Sequence, residues 1–123
     1  MLGPEAVVIL YLASDLMWAT RIRRAAEDLA LHAVAISQAP DDIGRADLLI
    51  VDLLADDAIA WIERARAADA DLPIVSFAPH VREDLLDAAL AAGADLAIPR
   101  GAFDRRIAEL LKEKVRKDSA CES

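Results

Sequence analysis

Hydrophobic positions along the chain fall into two alternating patterns. The first is short and nearly continuous: Ala6-Val-Val-Ile-Leu-Tyr-Leu-Ala13, Ala46-Asp-Leu-Leu-Ile-Val51 and Pro73-Ile-Val-Ser-Phe-Ala78. Runs of this length with few polar breaks predict strands covered on both faces, as in a parallel sheet between helical layers. His32-Ala-Val-Ala-Ile36 alternates more and suits a strand nearer the sheet edge, and Leu96-Ala-Ile98 predicts a short fifth strand. The second pattern is helical. Trp18, Ile22, Ala25 and Leu29 share one stripe, and Ala58, Trp61, Ile62, Ala65 and Ala68 share another. Val81, Leu85, Ala88, Ala89 and Ala92 form a third, stopped by Gly93, where a left-handed cap is expected. Phe103, Ile107 and Leu110 form the last, and Lys112, Lys114, Arg116 and Lys117 suit the negative end of its dipole.

The order β-α-β-link-β-α-β-α-β-α predicts an α/β fold, a doubly wound five-stranded parallel sheet in the flavodoxin-like order 2-1-3-4-5. Only ten residues, Ser37 to Ala46, separate Ile36 from Asp47. A full crossover helix does not fit comfortably there, so the second helix is expected to be shortened to a turn or absent. One domain is expected over residues 5–117, followed by a flexible tail at 118–123.

Composition narrows the function classes. The chain has 123 residues, is 56 % hydrophobic and carries a formal net charge of −8, from 22 acidic and 14 basic side chains. That balance repels phosphate backbones and argues against nucleic acid as a partner. A single cysteine, Cys121, excludes a disulfide framework and a cysteine-based zinc site. No apolar run approaches the roughly 18 to 20 residues of a membrane span, and a cytoplasmic location is expected.

In an open parallel sheet the functional crevice lies at the carboxyl ends of the strands. Those ends supply Ser14 and Asp15, then Asp52, then Ala78 to His80, and finally Pro99 and Arg100. Two carboxylates and a guanidinium in one crevice suit a hard cation or a phosphoryl group. Each also has a plainer reading: Ser14-Asp15 is a natural helix N-cap, and Asp52 could cap the following helix or pair with Arg100. The four glycines, Gly3, Gly44, Gly93 and Gly101, form no dinucleotide-binding turn. Neither His32 nor His80 lies in the first βα loop, where a cobalamin module needs one. Ser14-Asp-Leu-Met-Trp18 lacks the hydroxyl-rich phosphate loop of a flavodoxin.

Ala46-Asp-Leu-Leu-Ile-Val-Asp52, Leu72-Pro-Ile-Val-Ser-Phe-Ala78 and Ala91-Ala-Gly-Ala-Asp95, in that order and spacing, resemble the receiver domain of bacterial response regulators. The resemblance implies that Asp52 matches the aspartate that accepts a phosphoryl group from a histidine kinase. The family's Mg²⁺-holding acidic pair after strand 1 is matched by Ser14-Asp15, so one carboxylate is missing and Asp15 with Asp52 forms a weakened Mg²⁺ candidate. The hydroxyl that grips the phosphoryl oxygens is matched by Ala78, the switching aromatic by Ala97, and the invariant Lys by Arg100. Losing that hydroxyl removes a charge-assisted hydrogen bond of about 1.5–3 kcal/mol. A near-complete population switch needs about 5.5 kcal/mol of differential binding.

The resemblance therefore implies a two-component signalling module with a degenerate phosphorylation site, acting through protein–protein contact, with no enzymatic activity and no required cofactor. The alternative is a phosphorylatable single-domain response regulator with Asp52 as acceptor. For partners, the flank residues Leu86, Leu90, Leu111 and Val115 on the last two helices have two readings. They pack on neighbouring helices of the same sheet face, or they are exposed and form an apolar patch for a homodimer or another protein, which is the expectation taken here.

Overall fold

The computed structural model describes residues 8–115. Its elements run β1 Val8–Leu12, α1 Leu16–Asp28, β2 His32–Ala35, two 3₁₀ segments at Ile36–Gln38 and Pro40–Arg45, and β3 Leu48–Asp52. There follow α2 Ala58–Ala68, β4 Ile74–Ala78, α3 Glu83–Ala92, β5 Leu96–Pro99 and α4 Arg100–Lys114. The five strands are parallel in the order β2-β1-β3-β4-β5. The short link holds no α-helix: two 3₁₀ segments cross from β2 to β3, and Ile36, expected in the strand, opens the first of them. Ala6 and Val7 of the first apolar run, the domain limits at 5 and 117, the tail from 118 and Cys121 lie outside the described residues.

Alternate side chains along each strand enter two separate cores, as the period-2 geometry of a strand requires. Leu10, Leu49, Val51, Ile74 and Ala78 face one layer with Ile62 and Ala65 of α2, Ala89 of α3 and Ile43 of the 3₁₀ link. Ile9, Tyr11, Leu48, Ile50, Val75 and Phe77 face the other, with Trp18 and Ile22 of α1 and Phe103 and Leu110 of α4. Phe77 and Phe103 stack at 4.2 Å between centroids, and Trp18 leans on Phe77 at 4.8 Å, so one aromatic trio joins α1, β4 and α4.

Local polar groups close the ends of the elements. Two Ala-Asp-Leu tripeptides, at 46–48 and 94–96, do the same job at strand entries. The Asp47 N–H donates to the Val8 carbonyl at 2.8 Å while its carboxylate accepts from the Val8 N–H at 2.9 Å. Asp95 repeats this with Ile74, at 2.9 and 2.8 Å. Gly93 caps α3 with φ +122°, as its position predicts, and a Cβ there would lie 2.9 Å from Cγ of Arg66. The Arg66 guanidinium donates to the carbonyls of Asp69, Ala70, Leu72 and Gly93 and to the Asp95 carboxylate. One side chain thus ties the end of α2 to the entries of β4 and β5. At the end of α1 the left-handed position is filled by Ala30, φ 59°, where glycine is the less strained choice.

Three helical expectations change. Val81 precedes α3 in a turn and is 72 % exposed, because the helix starts only at Glu83. Trp61 is half-buried, with the Arg64 guanidinium 4.8 Å from its ring centroid. Leu111 and Val115 are buried at 0 % and 8 % exposure in the core shared with α1, so they are not surface residues. The reason is geometric: α4 packs on α1 as well as on the sheet, and the second contact buries the flank that the sheet leaves free.

Candidate functional site at the carboxyl end of the sheet

Asp52 is the last residue of β3 and is only 2 % exposed. A buried carboxylate is tolerated only where donors replace its water. Here the loop after β1 and the turn after β3 supply them. The Ser14 N–H donates to Oδ2 at 2.8 Å and the Ser14 hydroxyl to the same oxygen at 2.5 Å, while the Leu54 N–H donates to Oδ1 at 3.1 Å. Both oxygens are therefore engaged by uncharged donors. Among the described residues no ion pair reaches Asp52.

Asp15, next to Ser14, turns to its own helix: its Oδ1 accepts the Trp18 N–H at 3.0 Å as the N-cap of α1. The capping reading of Asp15 is the one the geometry shows. Arg100, the first residue of α4, is exposed and makes no hydrogen bond or ion pair with Asp15 or Asp52. Ala78 is fully buried at the end of β4, and Ala97 is half-buried opposite Ser76 in β5. Among the described residues no three His, Cys, Asp or Glu side chains group to hold a metal ion. Asp52, Asp15, Ala78 and Arg100 thus lie at the carboxyl ends of their strands, but no hydrogen bond or ion pair joins the two carboxylates and the guanidinium.

Of the expected partner patch, Leu90 is 49 % exposed and Leu86 half-buried, while Leu111 and Val115 belong to the interior. Large apolar side chains are exposed elsewhere, at Leu16, Met17, Leu54 and Val81, all in βα loops or first turns at the carboxyl end of the sheet.

A cleft of about 540 Å³ opens between the turn after β4 and the start of α4, lined by Pro79, His80, Val81, Pro99, Arg100, Gly101, Ala102 and Arg105. From sequence His80 reads as a solvated residue, and nothing there singles out Arg105. The two arginines and the histidine share no periodicity, and only the approach of two loops brings them to one cleft. A second cleft, of about 330 Å³, lies beside the first turn of α1 and includes Tyr11, Asp15, Arg23 and Ser37.

No protein-family sequence model matches the chain, and no curated protein matches it in sequence. Solved structures do match. A CheY-like response regulator receiver domain protein from Methanospirillum hungatei JF-1 superposes with a TM-score of 0.74 at 18 % identity, over 89 % of this chain and 93 % of the other. A response regulator from Thermotoga maritima gives 0.71 at 18 % identity, over 88 % and 96 %. An atypical orphan response regulator, described with a phosphorylation-independent regulatory mechanism, gives 0.66 at 16 % identity, over 90 % and 100 %. The fold is that of receiver domains. Among the described residues no helix is long and apolar enough to cross a membrane.

Proposed function

We propose that this chain is a receiver-fold signalling module that works by docking on a protein partner, without phosphoryl transfer to Asp52 and without enzymatic activity of its own. The observation that carries this reading is the occupancy of Asp52. A phosphoryl acceptor needs a carboxylate oxygen free to attack and cations to neutralise the incoming charge. Here Oδ2 is held by two donors from Ser14 and Oδ1 by a third from Leu54, under almost complete burial.

The surroundings support the same reading. Ser14 stands where the family has a second carboxylate, Asp15 is committed to capping α1, and Ala78 offers no hydroxyl to a phosphoryl oxygen. The arrangement is a poor Mg²⁺ site: both Asp52 oxygens already accept protein N–H or O–H donors, Asp15 spends Oδ1 on capping α1, and the second carboxylate of the loop is replaced by Ser14. The similar orphan regulator whose mechanism is phosphorylation-independent gives the reading a structural precedent.

The competing reading is a phosphorylatable single-domain regulator, favoured by the place of Asp52 at the end of β3. Incubation with acetyl phosphate and Mg²⁺ followed by intact-mass measurement separates the two. No mass change is expected. A gain of one phosphoryl group in the wild type that disappears in Asp52→Asn would establish the competing reading instead.

A further inference from the structure

The cleft between β4 and α4 has a character opposite to that of the chain as a whole. The protein carries a net charge of −8, yet no acidic side chain lines this cleft, and three of its eight lining residues are His80, Arg100 and Arg105. Among the described residues neither arginine has an acidic partner, whereas Arg21, Arg66, Arg82 and Arg106 each do. The first turn of α4 contains no acid, and no side chain caps it. The rest of the lining is apolar: Pro79, Pro99, Ala102 and Val81, the last 72 % exposed at the rim.

We propose that this cleft docks an acidic segment of a partner protein, with carboxylates facing Arg100 and Arg105 and an apolar side chain packed on Val81 and the two prolines. The proposal rests on the reading of the chain as a protein-docking module and names the chemistry of the partner. Charge complementarity selects an acidic occupant over a basic or neutral one. The cleft's form selects a chain segment over a free anion. A small anion is held by converging, desolvated donors, whereas these arginines are exposed and line an open trough with apolar walls. Its size falls within the roughly 300–1,000 Å³ typical of ligand clefts and admits several side chains side by side. The overall negative charge does not prevent this, because screening over about 8 Å at physiological ionic strength leaves the nearest cations in control. It does require the segment to sit close and be short.

The test starts from the whole folded chain and a phage-displayed library of random dodecapeptides. Enriched peptides are synthesised with a fluorophore and titrated by anisotropy against the wild type, Arg100→Glu/Arg105→Glu, Val81→Asp, and Arg64→Glu as a control outside the cleft. The expected consensus combines Asp or Glu with an apolar residue. Affinity should fall about tenfold or more in the double arginine variant, fall also in Val81→Asp, and stay unchanged in Arg64→Glu. Changing the peptide's acids to Lys should restore binding to the double variant, a recovery that a folding defect could not produce. Circular dichroism and urea midpoints monitor the fold of each variant. Failure to enrich peptides, a basic or uncharged consensus, equal affinity for the double variant, or complete displacement by inorganic phosphate would each overturn the proposal. The mass measurement on Asp52 and this titration read different sites, so failure of one reading is distinguishable from failure of the other.

Discussion

Replacing Arg66 with Ala removes the side chain with the most hydrogen bonds among the described residues. Its five N–H donors make six contacts: three from Nη1 to the carbonyls of Asp69, Ala70 and Leu72, and three from Nε and Nη2 to the Gly93 carbonyl and the Asp95 carboxylate. Fully buried, charge-assisted bonds of this kind contribute about 1.5–3 kcal/mol each. The Arg66 side chain is 22 % exposed, so water can reach part of the knot, and the Asp95 ion pair, with Asp95 57 % exposed, adds under about 1 kcal/mol. Counting the Leu72 and Gly93 carbonyls as the principal losses gives a destabilisation of about 2–4 kcal/mol. That corresponds to a fall in Tm of roughly 8–15 °C for a domain of this size. Urea unfolding followed by circular dichroism measures it, with Arg66→Lys as comparison. A single ammonium cannot serve both sides of the knot, so Lys should recover less than half of the loss. Gly93→Ala adds a second check: its Cβ meets Cγ of Arg66 at 2.9 Å, and the cost should shrink but not vanish in the Arg66→Ala background, because the Cβ of residue 66 still lies 3.0 Å away and φ +122° remains strained. A loss below about 0.5 kcal/mol in Arg66→Ala, the range of ordinary surface substitutions, would refute the reasoning.

Ser14→Ala leaves the backbone N–H on Asp52 but deletes the hydroxyl donor, and should cost about 1–2 kcal/mol in urea unfolding. A neutral result would mean that water replaces the hydroxyl. Ala30→Gly should stabilise the fold by about 0.5–1 kcal/mol by relieving the left-handed backbone at φ 59°, measured as a rise in urea midpoint at constant m-value. Leu111→Glu should unfold the chain or cost more than about 3 kcal/mol by burying an unpaired charge, while Leu90→Glu stays near wild type; equal tolerance would contradict the packing of α4 on α1. The Asp84 carboxyl is held below its ordinary pKa, first by the hydrogen bond from Arg82. The help it gives to the start of α3 is therefore present at neutral pH and is lost as pH falls through that lowered value. NMR titration should show the Asp84 midpoint moving up in Arg82→Gln, and an unmoved midpoint would remove the pair from the account.

The element order, the parallel sheet and its two edges were legible in the sequence. A strand covered on both faces must be apolar throughout, and a helix lying on a sheet repeats its apolar residues every turn. Gly93 was legible for an equally local reason, since the end of α3 needs a positive φ. What required the tertiary structure was every relation between segments. Asp52 stood out as a carboxylate at a strand end, but its donor Ser14 is 38 residues away, and the choice among cap, cation ligand and buried acceptor depends on where that loop comes to rest. Arg66 carried no signal at all, because its partners are backbone carbonyls, which every residue has. Leu111 and Val115 read as flanks that either meet a neighbouring helix or face solvent, because periodicity sees one helix against one surface. Packed between a sheet and a neighbouring helix, α4 buries two faces, and which second face is covered depends on the neighbour's position rather than on the helix's own sequence.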